Sequence, residues 1–231
     1  QKNGWEMKIQ TFGQEQLIAA EETDAEVLNP TERFYAIGCD EVLQLAAAKI
    51  KASKRPLILV GAGANRRNIR RSISDFISFT RIPFFCTQMG KGVVDESSDL
   101  FLGTAALSDK DYLHDYIKVA DLIINIGHDV VEKPPFFMEH GGTEVIHVNY
   151  KSAKVDQIYF PQIEVIGHIM LSLDRLCELI ESPQKYDLSS FEKVKANVNE
   201  KIYEKSDCDD FPMKPQRIVS DIRKIMGYHD I

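Results

Sequence analysis

The residues of this chain best suited to chemistry stand at the end of an apolar run. Arg55-Pro56-Leu57-Ile58-Leu59-Val60 leads straight into Gly61-Ala62-Gly63-Ala64-Asn65-Arg66. Two glycines in such a turn let the backbone come close to a phosphate. A helical pattern begins near Asn65, where the first N–H groups of a helix can hold an anion. Arg66, Arg67, Arg70 and Arg71 follow and can neutralise a diphosphate. Two readings stay open: a tight turn into a helix with a solvated arginine face, or nucleotide or diphosphate binding. The third glycine of the dinucleotide fingerprint is absent, and Arg66 stands there.

Of the six histidines, His128 follows the apolar run Leu122 to Ile126 and Gly127. That places it at a strand end, as a candidate acid or base or as a hydrogen-bonding wall of a crevice. His147 lies inside a strand pattern and reads as structural. Asp129 and Glu132 read either as paired carboxylates or as a solvated loop. No His-Glu-x-x-His, Gly-x-Ser-x-Gly or Gly-Lys-Ser/Thr occurs, which removes the zincin, α/β-hydrolase and P-loop readings. The candidate cofactor-binding set is Gly61, Gly63, Asn65, Arg66, Gly127, His128 and Asn149, with no catalytic residue and no metal ligand.

The elements that must position these residues alternate between strands and helices. Asp40 opens a helix to Ser53, as its N-cap, with Val42, Leu43, Leu45, Ala46, Ala47 and Ile50 at helical spacing. Strands are expected from Leu57, over Ile82 to Cys86, Leu122 to Ile126, Glu144 to Val148 and Glu164 to Ile166. Helices are expected over Asn68 to Thr80, from Asp109 or Asp111 to Val119, from Ser152, and over His168 to Ile180. Leu100 to Leu107 reads as loop with at most a short helix. Before residue 36 there is little periodicity beyond a short strand near Ile9 to Phe12 and an acidic connector around Glu21 to Glu26. Beyond Pro183 the expected helices are Ser189 to Glu204 and one opening at Pro215 with Gly227 as its stop.

Strands separated by helices of about a dozen residues predict a doubly wound, mostly parallel α/β sheet, Rossmann-like, in three α/β/α layers. Right-handed crossovers would bring the loops at Gly61, Gln88, Gly127 and Asn149 to one crevice at the carboxyl edge of the sheet.

Bulk properties exclude some functions. With 28 basic and 35 acidic residues the net charge is −7, which argues against nucleic acid or an anionic membrane as partner. No apolar run approaches the roughly 18 residues needed to cross a bilayer. Cys39, Cys86, Cys177 and Cys208 are scattered, so free thiols in a reducing cytoplasm are expected. The polar start without methionine or a signal segment reads as that of a cytoplasmic fragment.

Several segments together resemble a known family. Arg55 to Ala64 resembles the first strand and turn of the central domain of thiamine-diphosphate-dependent enzymes. Met89-Gly90-Lys91-Gly92 is similar to their second-strand loop, and Leu102-Gly103-Thr104 to the segment after it. Ala120-Asp121-Leu122-Ile123-Ile124-Asn125-Ile126-Gly127 resembles their Ala-Asp-Leu strand. Met213 to Ile218 resembles the entry to the diphosphate-binding domain. Within the family the resemblance is to acetolactate synthases.

The resemblance implies a whole enzyme that condenses two pyruvates to 2-acetolactate and carbon dioxide with thiamine diphosphate and magnesium. It implies a division into 1–36, the end of a pyrimidine-binding domain and linker; 37–182, the central domain; 183–212, a linker; and 213–231, the start of the diphosphate-binding domain. The remaining two domains would be its partners, in a homodimer or homotetramer. The activating glutamate and the Gly-Asp-Gly metal motif belong to those two domains, so this segment alone is expected to be inactive. FAD-binding members carry Gly-x-Arg-Phe-Asp-Asp-Arg after the third strand, where this chain has Gly127-His128-Asp129-Val130-Val131-Glu132-Lys133. Their Asp-ϕ-Asp-Ser-Ala-Glu, where ϕ is apolar, is here Asn149-Tyr150-Lys151-Ser152-Ala153-Lys154. The loop after Gly127 instead resembles FAD-independent, catabolic-type acetolactate synthases, so no FAD is expected. Other members (pyruvate oxidase, an oxo-acid decarboxylase) and a non-catalytic nucleotide-binding module are the alternatives.

Overall fold

The continuous apolar runs line up side by side as the strands of one sheet. The computed structural model describes residues 8–11, 34–105, 112, 114–128, 141–154 and 159–227. The chain divides into two compact units, Gln1–Asp187 and Leu188–Ile231.

In the first unit, β1 (Lys8–Thr11) pairs in parallel with β2 (Phe34–Ile37). Helix α1 (Asp40–Ala52) leads to β3 (Pro56–Val60), and α2 (Arg70–Thr80) leads to β4 (Phe84–Cys86). Then follow β5 (Phe101–Thr104), α3 (His114–Val119), β6 (Leu122–Ile126), β7 (Glu144–Asn149), β8 (Ile163–Ile166) and α4 (Ile169–Ile180). The six strands from β3 onward form one sheet in the order β5-β4-β3-β6-β7-β8, parallel throughout. With α1 and α2 packed on α4, this is the three-layer, Rossmann-like fold that the alternation of elements predicts.

Leu57, Ile58, Leu59 and Val60 are wholly buried, as are Ile123, Ile124 and Ile126. A parallel strand covered on both faces has no solvent side, so it cannot alternate polar and apolar residues. From α2, Ile69, Ile73, Phe76 and Ile77 pack inward, while Phe79 stays half-exposed.

Several local expectations are corrected. Phe101 to Thr104 is a strand, β5, hydrogen-bonded to β4, where loop was expected. Its pairing is non-local, and Gly103 at φ 137° weakens any strand signature. The N-cap of α1 is Cys39, and Asp40 is its first residue, where the carboxylate accepts from Gln44 and Arg175. Residues 151–154 carry no helix. The expected caps at Asp109 and Asp111 lie outside the described residues.

At the amino edge, Asp121 ties the entry of β3 to that of β6. Its carboxylate accepts from the Ser53 hydroxyl at 2.5 Å, the Lys54 N–H at 2.9 Å and the Arg55 N–H at 3.0 Å. Burial pushes this carboxyl up, but the bonds from Ser53, Lys54 and Arg55 outweigh it and hold the group below its ordinary value. Asp121→Ala is expected to cost about 2–3 kcal/mol; three charge-assisted bonds would be worth more, but water partly replaces them at a half-exposed site. Because the folded carboxyl titrates below the unfolded one, its contribution is complete above the unfolded value and is lost as pH falls through the folded one. Urea midpoints of wild type and variant should therefore converge below about pH 4.

The second unit holds α5 (Ser189–Tyr203) and α6 (Pro215–Ile225), with Pro215 in the first turn of α6. On α6, Arg217 pairs with Asp209 and Asp221 at 2.6 Å each, and Lys224 with Asp207 at 3.0 Å. Ile218, Val219, Ile222 and Ile225 of the same helix are exposed. Among the described residues no helix is long and apolar enough to cross a membrane.

Candidate functional site

The first strand of the sheet in sequence, β3, lies between β4 and β6, so the chain runs outward in both directions from it. In open α/β sheets this switch point is where ligands enter, at the carboxyl ends of the strands. Here the two loops at that point are bonded to each other. The Gly61 N–H donates to the Ile126 carbonyl at 2.9 Å, and the Gly63 N–H to the Gly127 carbonyl at 2.7 Å. Gly127 has φ +68°, and a Cβ there would lie 2.3 Å from the Ala64 nitrogen. A Cβ on Gly63 would lie 3.0 Å from the Gly127 oxygen. These glycines permit backbone to meet backbone.

The turn is consequently closed on itself. Ala64 N–H donates to the Gly61 carbonyl, Asn65 N–H to Ala62, and Arg66 N–H to Ala64, within a 3₁₀ turn over Ala62–Ala64. The expected helix start near Asn65 or Asn68 is displaced, and α2 begins at Arg70. The tether to Gly127 first leads the chain along the sheet edge. The amides of Gly61, Gly63, Ala64, Asn65 and Arg66 are thus committed to carbonyls, so an anion at this edge would meet side chains.

Those side chains converge as the topology requires. Asn65 Nδ2 donates to the Met89 carbonyl at 3.2 Å, and Arg70 donates to Asn65 Oδ1 at 2.8 Å. Asn149 Nδ2 donates to the His128 carbonyl at 2.7 Å, while its Oδ1 accepts the Tyr150 N–H at 2.8 Å. The Arg66 guanidinium sits 4.6 Å over the Tyr150 ring, and Tyr150 meets His168 edge-on at 5.5 Å. Burial, reinforced by the Arg66 charge, lowers His168 from the ordinary histidine value. The structure therefore gathers Gly61, Gly63, Asn65, Arg66, Gly127, His128 and Asn149 at one edge. Arg67, Arg70 and Arg71 are exposed, and Asp129 and Glu132 lie outside the described residues. Because Arg66 is exposed, Arg66→Ala should change stability by less than about 1 kcal/mol in urea unfolding.

Residues that sequence reasoning did not single out surround His147. Asn125 Nδ2 donates to Tyr159 Oη at 2.8 Å, and Tyr159 Oη lies 2.9 Å from His147 Nδ1. The one signal for this cluster is an asparagine inside the otherwise apolar run Leu122 to Ile126; nothing marks Tyr159.

A sequence model of the family described as "thiamine pyrophosphate enzyme, central domain" matches residues 43–176. The chain belongs to that family. The matched span includes the six-stranded sheet and α4 as far as Leu176. The chain is 27% identical over 140 residues to the acetolactate synthase large subunit of Pyropia yezoensis, covering 60% of this chain and 24% of that protein. It is 27% identical over 139 residues to the acetolactate synthase of Bacillus subtilis (59% and 24%). It is 20% identical over 217 residues to the glyoxylate carboligase of Escherichia coli O157:H7 (91% and 37%). The matches thus span about a quarter to a third of the relatives' own length.

For a thiamine pyrophosphate enzyme, the question at this edge is whether the residues present would hold the cofactor and its metal. Among the described residues no three of His, Cys, Asp and Glu are grouped to hold a metal ion. The amides of Gly61, Gly63, Ala64, Asn65 and Arg66, at the turn where a diphosphate would lie, are bonded to carbonyls. The described part of the central domain therefore does not fit the cofactor as a binding site, and no chemical step passes through it here.

Proposed function

We propose that the whole protein is an acetolactate synthase and that this chain is its central, non-catalytic scaffold. The whole enzyme joins two pyruvates to 2-acetolactate and releases carbon dioxide. Thiamine diphosphate and a divalent metal such as magnesium are held by the other two domains of the polypeptide. In this reading 37–182 is the central domain, 183–212 the linker, and 1–36 and 213–231 belong to the neighbouring domains. The protein works in the cytoplasm as a homodimer or homotetramer. The observation that carries the reading is the 27% identity, over 140 and 139 residues, to two proteins named acetolactate synthase.

Glyoxylate carboligase is the second reading, since that relative aligns over 91% of this chain. Assay of the full-length enzyme on pyruvate and on glyoxylate, with thiamine diphosphate and magnesium, separates the two. Acetolactate from pyruvate is the expected product, and preference for glyoxylate would overturn the reading. The 231-residue chain alone should form neither product.

The same reading holds that the switch-point crevice binds no FAD tightly. An acid at the end of β7 would accept hydrogen bonds from a ribose; Asn149 stands there, with its amide donated to the His128 carbonyl. Losing that acceptor and a loop arginine removes two charge-assisted bonds of about 1.5–3 kcal/mol each. The loss is roughly two to four decades of affinity at about 1.4 kcal/mol per decade. Calorimetric titration with FAD and with ADP is expected to show no saturation at micromolar concentration.

A further inference from the structure

A chain of hydrogen bonds runs through the core near the carboxyl ends of β6 and β7. Asn125 and His147 are register partners on these strands. Asn125 Nδ2 donates to Tyr159 Oη at 2.8 Å, Tyr159 Oη lies 2.9 Å from His147 Nδ1, and His147 Nε2 lies 3.1 Å from the Lys151 carbonyl. Asn125 is wholly buried, His147 is 2% exposed and Tyr159 3%. A carbonyl only accepts, so Nε2 carries the hydrogen. A neutral ring then has a bare Nδ1, which accepts the Tyr159 O–H. The direction of donation runs from Asn125 through Tyr159 and His147 to Lys151. One atom is left over: Asn125 Oδ1, buried without a hydrogen-bond partner.

That atom supplies a second direction. A proton taken from solvent onto Nδ1 turns that nitrogen into a donor toward Tyr159 Oη. The phenol O–H must then turn away from His147. It finds an acceptor if the Asn125 amide rotates half a turn and presents Oδ1. Nε2 still donates to Lys151, and the atom left over becomes Asn125 Nδ2. Each arrangement leaves one atom of the same amide unpaired, so the two differ chiefly by the proton.

The groups around His147 set the balance. Glu164 on β8 is its register partner on the other side, and its negative charge favours the charged ring. That carboxylate also accepts from Ser152 and Ala153, in the segment after β7. His128 lies against the Tyr159 ring, centroids 4.8 Å apart. The carbonyl of Lys151 favours the charged ring too, and burial opposes it most strongly.

We propose that Asn125, Tyr159 and His147 form a reversible hydrogen-bond relay whose direction is set by one proton on His147. It acts as a pH-responsive latch between β6 and the segment after β7, at the edge that carries Gly127 and His128. Burial lowers His147, so the reversal takes place below the ordinary histidine value of about 6.5.

Nitrogen-15 NMR of the histidine rings in the full chain tests this, with the His147 signals assigned by their loss in His147→Gln. The expected result is a neutral Nε2–H ring at pH 8 that titrates below the ordinary value while the protein stays folded. Asn125→Leu removes the acceptor at the end of the reversed chain, so proton affinity should fall about tenfold, one pH unit. Tyr159→Phe should lower it at least as much while keeping a ring against His128, and it carries the test if the leucine variant does not fold. An Nδ1–H ring at neutral pH, a His147 that takes no proton before unfolding, or an unchanged or raised midpoint in the folded variants would overturn the proposal.

Discussion

Gly127→Ala is expected to destabilise the domain by about 2–5 kcal/mol, close to the whole stability of many domains of this size. Two costs add. The backbone at φ +68° is left-handed, which costs an alanine about 1–2 kcal/mol. The new Cβ would also stand 2.3 Å from the Ala64 nitrogen and 2.8 Å from the Gly63 carbonyl carbon. Both are backbone atoms that cannot swing aside, and forced overpacking typically costs about 1–3 kcal/mol. Gly141→Ala is the matched control: φ is +76°, but nothing among the described residues lies within 4 Å of its Cβ, so only the conformational cost of about 1–2 kcal/mol should appear. Urea unfolding of both variants checks the difference. Equal midpoints would mean that the loops after β3 and β6 separate without penalty, and the tight joint described at the switch point would be wrong.

Gly90→Ala should cost about 2–4 kcal/mol by packing alone, since its φ lies outside the left-handed region. A Cβ there would fall 2.1 Å from the Val60 carbonyl oxygen and 2.8 Å from its carbon. That oxygen already accepts the Thr87 N–H at 2.9 Å, and the Gly90 N–H is bonded to the Thr87 carbonyl at 3.1 Å and hydroxyl at 3.0 Å. To admit a methyl group the loop must lift from the end of β3 and stretch these bonds. The Asn65 bond to Met89 would be strained with them. Gly92, two residues on, has no described residue within 4 Å of its Cβ position. Alanine there should cost only the left-handed penalty, and hydrogen exchange of the Thr87 and Gly90 amides should rise in Gly90→Ala but not in Gly92→Ala.

The fate of the glycine turn shows where reading from residues alone reached its limit. Gly61 and Gly63 after a buried strand mark a place of close backbone approach, and such an approach exists. A phosphate and another loop place the same demand on the chain, namely no Cβ and an amide pointing outward. Which of them meets the Gly63 amide depends on where Gly127 lies, and that is a matter of strand order. The partners of Asn149 were hidden for the same reason, since the carbonyl it holds belongs to His128, in the loop after the neighbouring strand β6.

The sequence by itself determined the parallel, doubly wound sheet. Strands covered on both faces must be almost wholly apolar, and Leu57 to Val60, without exception, and Leu122 to Ile126, with Asn125 as its one polar residue, state that requirement without reference to any partner. It also determined helices α1, α2, α4, α5 and α6 to within a few residues, because apolar side chains at helical spacing or an opening proline act locally. Their motifs carried the family as well. The tertiary structure alone decided that Phe101 to Thr104 is a strand, since only the edge of β4 makes it one. It alone placed Tyr159, from an irregular segment, against Asn125 and His147. A buried hydroxyl is satisfied by groups distant in sequence, and no local pattern records which groups those are.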